Sequence, residues 1–272
     1  MNSKPVAERR LTLAFDTCGG VELQHGRNVA HAFTPHFHAE YQILVMLGGD
    51  LRLLLGVDEY AVAPGQICVV NPRDVHGGRS EGWGWECRNF YVPPDFIRAA
   101  IGSAPRFPYP VIDDPPVARA LVKAHRLGLS APSALAADAA IVEALAALFK
   151  AHAGADVRAA PAVSAGVAAA VAHLREHFAE AVRVETLARI AGLSLYHFLR
   201  VFSRETGLTP HAFQNQLRLA YAKKQLAQGA PAARAAAEAG YYDQSHLIRA
   251  LRRSHGLTPA MITRAAERNF IQ

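Results

Sequence analysis

The chain has 272 residues, 51% of them hydrophobic, which is enough for two domains with cores of their own and too much for a disordered chain. No apolar run reaches the roughly 18 charge-free residues of a membrane span, and the opening MNSKPVAERRLTLAFD lacks the apolar run of a secretory signal. The net charge of +6 is unevenly spread: residues 164–272 hold fourteen Lys and Arg against seven Asp and Glu, whereas residues 1–163 hold fifteen against sixteen. A basic region beside a neutral one points to a polyanionic partner for the first and a different task for the second. Cys18, Cys68 and Cys87 are odd in number and widely spaced. They make neither a disulfide framework nor a CxxC zinc pattern, and are expected as small core residues of a cytoplasmic protein.

Residues 21–92 read as short strands. YQILVML at 41–47 is apolar and β-branched and ends at the Gly48-Gly49-Asp50 turn. Segments 51–55 and 57–62 follow, then Pro64-Gly65, then ICVV at 67–70, stopped by Asn71-Pro72. Strands at this spacing suggest a sandwich or small barrel. From Val117 the texture is helical, and Leu135, Ala139, Val142, Leu145, Ala146 and Phe149 form an apolar stripe. That stripe could pack on its own domain or pair with the same helix of a second chain. Small, Gly- and Pro-bearing residues at 153–161 end the pattern, which divides the chain into a domain at 1–157, a linker at 158–163 and a domain at 164–272.

The last domain repeats itself. His197, Arg200, Gly207 and a Leu-Thr-Pro triplet recur 49 residues later as His246, Arg249, Gly256 and a second Leu-Thr-Pro, with one extra residue in the second turn. Each copy reads as a helix, a Gly-containing turn and a second helix. The first copy leads with a helix at 184–190, turns at Gly192 and offers Ser194 as N-cap; Asp243 plays that part in the second. Gly207 and Gly256 stand where a helix-closing glycine belongs, and Thr209-Pro210 and Thr258-Pro259 read as an N-cap followed by Pro at the first helical position.

In both second helices the inward face is apolar (Phe198 and Phe202; Leu247 and Leu251) and the outward face is cationic. Tyr196, Leu199, Arg200, Ser203 and Arg204 face out in the first; Ser245, Ile248, Arg249, Arg252 and Arg253 do so in the second. An arginine centred on such a face can donate two hydrogen bonds to a guanine edge, while Arg204, Arg252 and Arg253 are placed for phosphates. Duplication of this register in the one basic domain points to double-stranded DNA.

The segment 163–263, and GYYDQSHLIRALRRSHGLTPAMI above all, resembles the DNA-binding domain of the AraC/XylS family of bacterial regulators. The resemblance implies seven helices, with a long helix at 210–228 holding the two motifs about one DNA turn apart. It also implies base-reading roles for Tyr196, Leu199 and Arg200, and for Gln244, Ser245 and Arg249, with Leu199 departing from the polar residue common there. TPHFHAEY at 34–41, Pro64-Gly65 and NPRDVH at 71–76 resemble the cupin-type sensor barrel of many members. The fold expected is therefore two-domain α+β: a cupin-like β-barrel followed by helices, then an all-α domain with two helix-turn-helix motifs.

His36 and His38 lie two apart on one strand face, and with His76 could make a metal set. The cupin pattern asks for glutamate near 42, where this chain has Gln42. No metal or other cofactor is expected, and the three histidines are read instead, with Gln42, Arg52, Trp85 and Arg88, as candidates for an effector pocket; Trp83 is a further candidate. The function expected is a non-enzymatic, sequence-specific transcription regulator, an activator answering to a small molecule. It would be homodimeric through the helices after the barrel, with no membrane partner. Two other readings stay open: a metal-dependent cupin enzyme fused to a DNA-binding module, and a regulator without ligand. No phosphate loop or Ser/His/Asp pattern supports an enzyme.

Overall fold

The computed structural model describes residues 12–18, 20–29, 32–80, 82, 84–130, 134–154 and 163–269. In chain order it comprises β1 (Thr12–Cys18), β2 (Val21–Val29), β3 (Phe33–His36), β4 (Tyr41–Gly49), β5 (Leu51–Leu55), β6 (Asp58–Val62), β7 (Ile67–Val70), β8 (His76–Arg79), β9 (Trp85–Val92), α1 (Pro94–Ile101), β10 (Val111–Ile112), α2 (Pro115–Ser130) and α3 (Ala134–His152). The helices α4 (Ala165–Glu176), α5 (Val184–Ile190), α6 (Leu195–Thr206), α7 (Pro210–Ala227), α8 (Ala232–Glu238), α9 (Gln244–His255) and α10 (Pro259–Asn269) follow. The strands form two sheets, one of six in the order β1-β2-β9-β4-β7-β10 and one of four in the order β3-β8-β5-β6, rather than one closed barrel. Both keep edge strands.

The chain divides into two compact units. The first is Met1–Ala32, Ala39–Arg73 and Gly77–Ala155; the second is Phe33–His38, Asp74–His76 and Asp156–Gln272. The linker expected at 158–163 falls mostly on residues outside the described ones, as does Trp83. Among the described residues no helix is long and apolar enough to cross a membrane.

In the first unit successive residues of each strand point to opposite faces of the six-stranded sheet. Leu23, Ile43, Val69 and Phe90 lie on one face and are fully buried in a core shared with Leu121 of α2 and with Ile141, Leu145, Leu148 and Phe149 of α3. Tyr41, Phe107 and Phe149 meet edge to face there. The apolar stripe expected on α3 divides: Leu145 and Phe149 join this core, whereas Leu135 (79% exposed) and Val142 face away from it. The buried side of α3 is carried by Ala137, Ile141 and Ala144 as well. Cys68 and Cys87 are free, buried thiols, and burial pushes both up to about 12; the side chain of Cys18 lies outside the described residues.

One polar pair is sealed into this apolar core. Arg88 Nη1 lies 3.0 Å from His125 Nδ1, and His125 Nε2 lies 3.0 Å from the carbonyl oxygen of Gln24. A guanidinium only donates, so His125 Nδ1 carries the lone pair and Nε2–H donates to Gln24. The ring is thereby held neutral, and burial followed by the Arg88 charge pushes His125 down to about 4.

In the second unit the helix-turn-helix units form as their punctuation directs. Gly207 (φ 74°) and Gly256 (φ 68°) close α6 and α9 in the left-handed region, which a side chain disfavours. Asp243 caps α9 by accepting from His246 N, and Thr209 caps α7 by accepting from Ala212 N. Ser194 holds the N-cap position of α6 in extended backbone without a side-chain cap bond. Phe198, Phe202 and Phe213 stack with centroids 5.3 and 5.6 Å apart in the first motif's core. The central helix α7 is tied to the turn after α4: Arg218 Nε donates to the Phe178 carbonyl (2.7 Å), Arg218 Nη2 to that of Glu180 (2.9 Å), and Gln214 Nε2 to both (2.9 and 2.7 Å). The same turn presses on the second motif, since a Cβ on Gly240 would sit 2.1 Å from the Ala179 carbonyl oxygen.

The state of His125 has a measurable consequence. Its folded pKa lies below the unfolded 6.5, so its neutral pairing contributes full stability above about pH 6.5. That contribution is lost as pH falls toward 4, where the unfolded chain binds a proton that the folded one refuses. Between pH 7 and 5 the loss from this group is roughly 2 kcal/mol. His125→Gln should unfold earlier in urea at pH 7 yet lose less stability than the parent on going to pH 5. Trp85 belongs to the first unit, so tryptophan fluorescence reports it. Equal losses in parent and variant would contradict the assignment.

Candidate DNA interface and sensor site

The residues expected to meet DNA lie on the outward sides of α6 and α9. On α6, Phe198, Val201 and Phe202 are buried, while Tyr196 (87% exposed), Arg200 and Arg204 are exposed and Leu199 is half-buried. On α9, Leu247, Leu251 and Ser254 are buried, and Gln244, Ser245, Arg249, Arg252 and Arg253 are exposed. Arg204 sits 3.4 Å from Glu205, whose carboxylate also accepts from the Ser164 backbone and hydroxyl. Among the described residues Arg200, Arg249 and Arg252 have no ion pair, so three cations stand ready for an anion brought from outside.

The repeat also reveals a residue that sequence reading passed over. Leu193 N bonds to the Ala188 carbonyl in the first turn, and Tyr241 N bonds to the Ala236 carbonyl in the second. Leu193 and Tyr241 are therefore structural equivalents, which makes Tyr242 the extra residue. Tyr242 is 94% exposed and directly precedes the cap of α9. An exposed aromatic at the head of that helix belongs with its cationic face; the one-residue length difference was the signal for it.

α7 spans 18 residues. At about 1.5 Å per residue it is about 27 Å long, comparable with the roughly 34 Å of one DNA turn.

The effector-pocket candidates do not form one group: the three histidines come together, and Gln42, Arg52, Trp85 and Arg88 do not join them. His36, His38 and His76 lie in the second unit, where His36 stacks at 4.3 Å from His76 and 5.4 Å from His255, with His38 4.7 Å from His76. His36 and His76 use Nδ1–H to donate to the carbonyls of Thr34 (2.8 Å) and Asp74 (3.0 Å). Burial pushes His36, His76 and His255 below the usual imidazole range. Among the described residues no three His, Cys, Asp or Glu side chains are arranged to hold a metal ion. Among the described residues His36, His38 and His76 are not arranged as such a set. Arg88 lies on the core face of the six-stranded sheet, opposite to Gln42, because Val45 and not Gln42 shares its register parity. Arg52 pairs with Glu59 (3.9 Å), on the side of β5 away from buried Leu51 and Leu53. Trp85 does share a face with Gln42, six residues along β9 from Tyr91, the partner of Gln42, or about 20 Å at strand rise.

Register instead surrounds Gln42 with polar groups absent from the sequence reading. Glu22, Tyr91 and Gln42 pair in one cross-strand row, and Gln24, Asn89 and Leu44 in the next. Gln24 and Asn89 are each 6% exposed. Gln24 Nε2 donates to Glu22 (2.6 Å), and burial pushes the Tyr91 phenol up. Asn89 Oδ1 is buried and accepts no hydrogen bond. A buried acceptor without a donor costs free energy that a bound donor would recover.

Known proteins match both domains of this chain. Residues 19–149 match the AraC-like ligand binding domain and residues 187–265 a Helix-turn-helix domain. The HTH-type transcriptional regulator YbfI of Bacillus subtilis is 30% identical over 87% of this chain and 89% of its own. The chain belongs to the AraC family of transcriptional regulators. The HTH-type transcriptional activator RhaS of Escherichia fergusonii is 37% identical over 34% of each chain. ToxT of Vibrio cholerae shares the fold, with a TM-score of 0.55 at 10% identity over 89% of this chain and 97% of its own. The AraC family thus accounts for the seven helices α4–α10 and for the strand-rich domain before them.

Arg249 stands at the centre of the exposed face of α9. Arg249→Ala should cost about 1–3 kcal/mol on a specific site while largely sparing non-specific DNA, as measured by titrating both duplexes at one salt concentration. Equal losses on both would make Arg249 a phosphate contact.

Proposed function

We propose that the chain is a cytoplasmic, homodimeric regulator. It reads promoter DNA with Tyr196, Leu199, Arg200, Gln244, Ser245 and Arg249, grips phosphates with Arg204, Arg252 and Arg253, and answers to a small polar effector. The observation that carries this reading is the duplicated cationic face on α6 and α9, held by buried apolar sides. Activation is supported by the naming of RhaS as an activator. Action by binding rather than turnover is supported by Gln42 standing where a ligand carboxylate would be needed.

The effector site is the polar face of the six-stranded sheet around Gln24, Gln42, Asn89 and Tyr91. The orphaned acceptor of Asn89 suits a ligand that presents an N–H or O–H group. Dimerisation is supported by the outer side of α3, where Leu135 and Val142 are exposed and Ala139 lies between them. Ligand control requires unequal effector affinity for two arrangements of the protein.

The test takes genomic fragments retained by the full chain as the operator and titrates them with and without a metabolite panel. One hydroxylated or amide-bearing compound should shift operator affinity and raise the melting temperature with concentration, and Gln42→Leu should blunt both effects. Leu135→Glu with Val142→Glu should yield a folded monomer in sedimentation and weaker operator binding. A dimer that persists, or an operator affinity that no compound moves, would contradict the respective part.

A further inference from the structure

The first unit carries a groove on the other side of the sheet from the polar patch. It has a volume of about 490 Å³ and runs between α2 and the end of β4. Its wall is apolar: Val45 and Ala118 are buried, and Leu47, Val122 and Leu127 are half-buried. Its remaining side chains with chemistry are Arg119, Lys123 and Arg126, all exposed, and no acidic or neutral polar side chain lines it. Spacings of four and three residues put the three cations on one stripe of α2. None of them has an ion pair among the described residues. Asp114, the acid nearest along the helix, accepts from His152 (2.8 Å) and from Val117 N (3.1 Å).

From this combination we infer that the groove is a binding site for an amphiphilic organic anion, a carboxylate with an aliphatic or aromatic body. The body lies on Val45, Leu47 and Val122, and the headgroup meets Lys123 and Arg126. The apolar wall supplies affinity through burial, and the cationic stripe supplies selectivity by sign. A volume within the range of small-molecule sites holds one such molecule. The site is distinct from the polar patch proposed for the effector, since none of Gln24, Gln42, Asn89 and Tyr91 lines it.

Calorimetry on the full chain tests it with decanoate, kept below its micelle concentration, against decyltrimethylammonium, which has the same tail and the opposite charge. Decanoate should bind one per chain and the cation should not. Lys123→Glu with Arg126→Glu should weaken decanoate roughly tenfold or more. Val122→Trp, which fills the groove and leaves every charge in place, should do the same. Gln42→Leu should leave decanoate binding unchanged, so a failure here is separable from failure of the effector site. Equal binding of both amphiphiles, decanoate affinity unmoved by the groove variants, or groove variants that alter only the oligomeric state would overturn the inference.

Discussion

Two cationic helix faces can read one duplex only if the distance and angle between them are fixed before DNA arrives. That constraint falls on α7 and on the turn after α4. Arg218 and Gln214 fasten the helix to the carbonyls of Phe178 and Glu180, while Ala179 of the same turn rests against the glycine that begins the second motif's turn. Each recognition helix is then held by what it buries: Phe198 and Phe202 in one, Leu247 and Leu251 in the other. To the extent that these contacts set the two helices before DNA arrives, binding does not have to be offset against ordering them. Arg200 and Arg249 project from it without competing carboxylates among the described residues, and desolvation on docking then costs only water.

Much of this second unit was legible in the chain. The repeat, its closing glycines and its Thr-Pro helix starts are local signals, and the structure follows them closely: the leading helix expected at 184–190 is α5, and the caps at Thr209 and Asp243 form. Ser194 shows the limit of a local signal, because its position is right while its hydroxyl makes no cap bond. Tyr242 was hidden in an insertion whose location only the backbone bonds reveal.

The sensor side was less legible because it depends on pairing. Which residues share a pocket is set by register between strands far apart in sequence, and parity alone separates Arg88 from Gln42. Gln24, Asn89 and Tyr91 come beside Gln42 only once β2, β9 and β4 are aligned. His125 sits on a helix and gives no sign in the sequence that it closes a buried pair with Arg88. The three histidines of the cupin-like motif go to a stack with His255, a contact that no spacing rule predicts. The stripe on α3 held two faces at once, which a single periodicity cannot divide. One sheet thus carries both features: a polar patch with an unused acceptor on one face, and on the other a cation-rimmed groove beside α2.

In the proposed complex the two outward faces enter two successive major grooves. Hydroxyl-radical and methylation footprinting of the full chain on a genomic fragment it retains measures this directly. Two protected major-groove patches about 10 base pairs apart on one side of the duplex are expected. A single patch, or uniform protection without sequence preference at moderate salt, would contradict it.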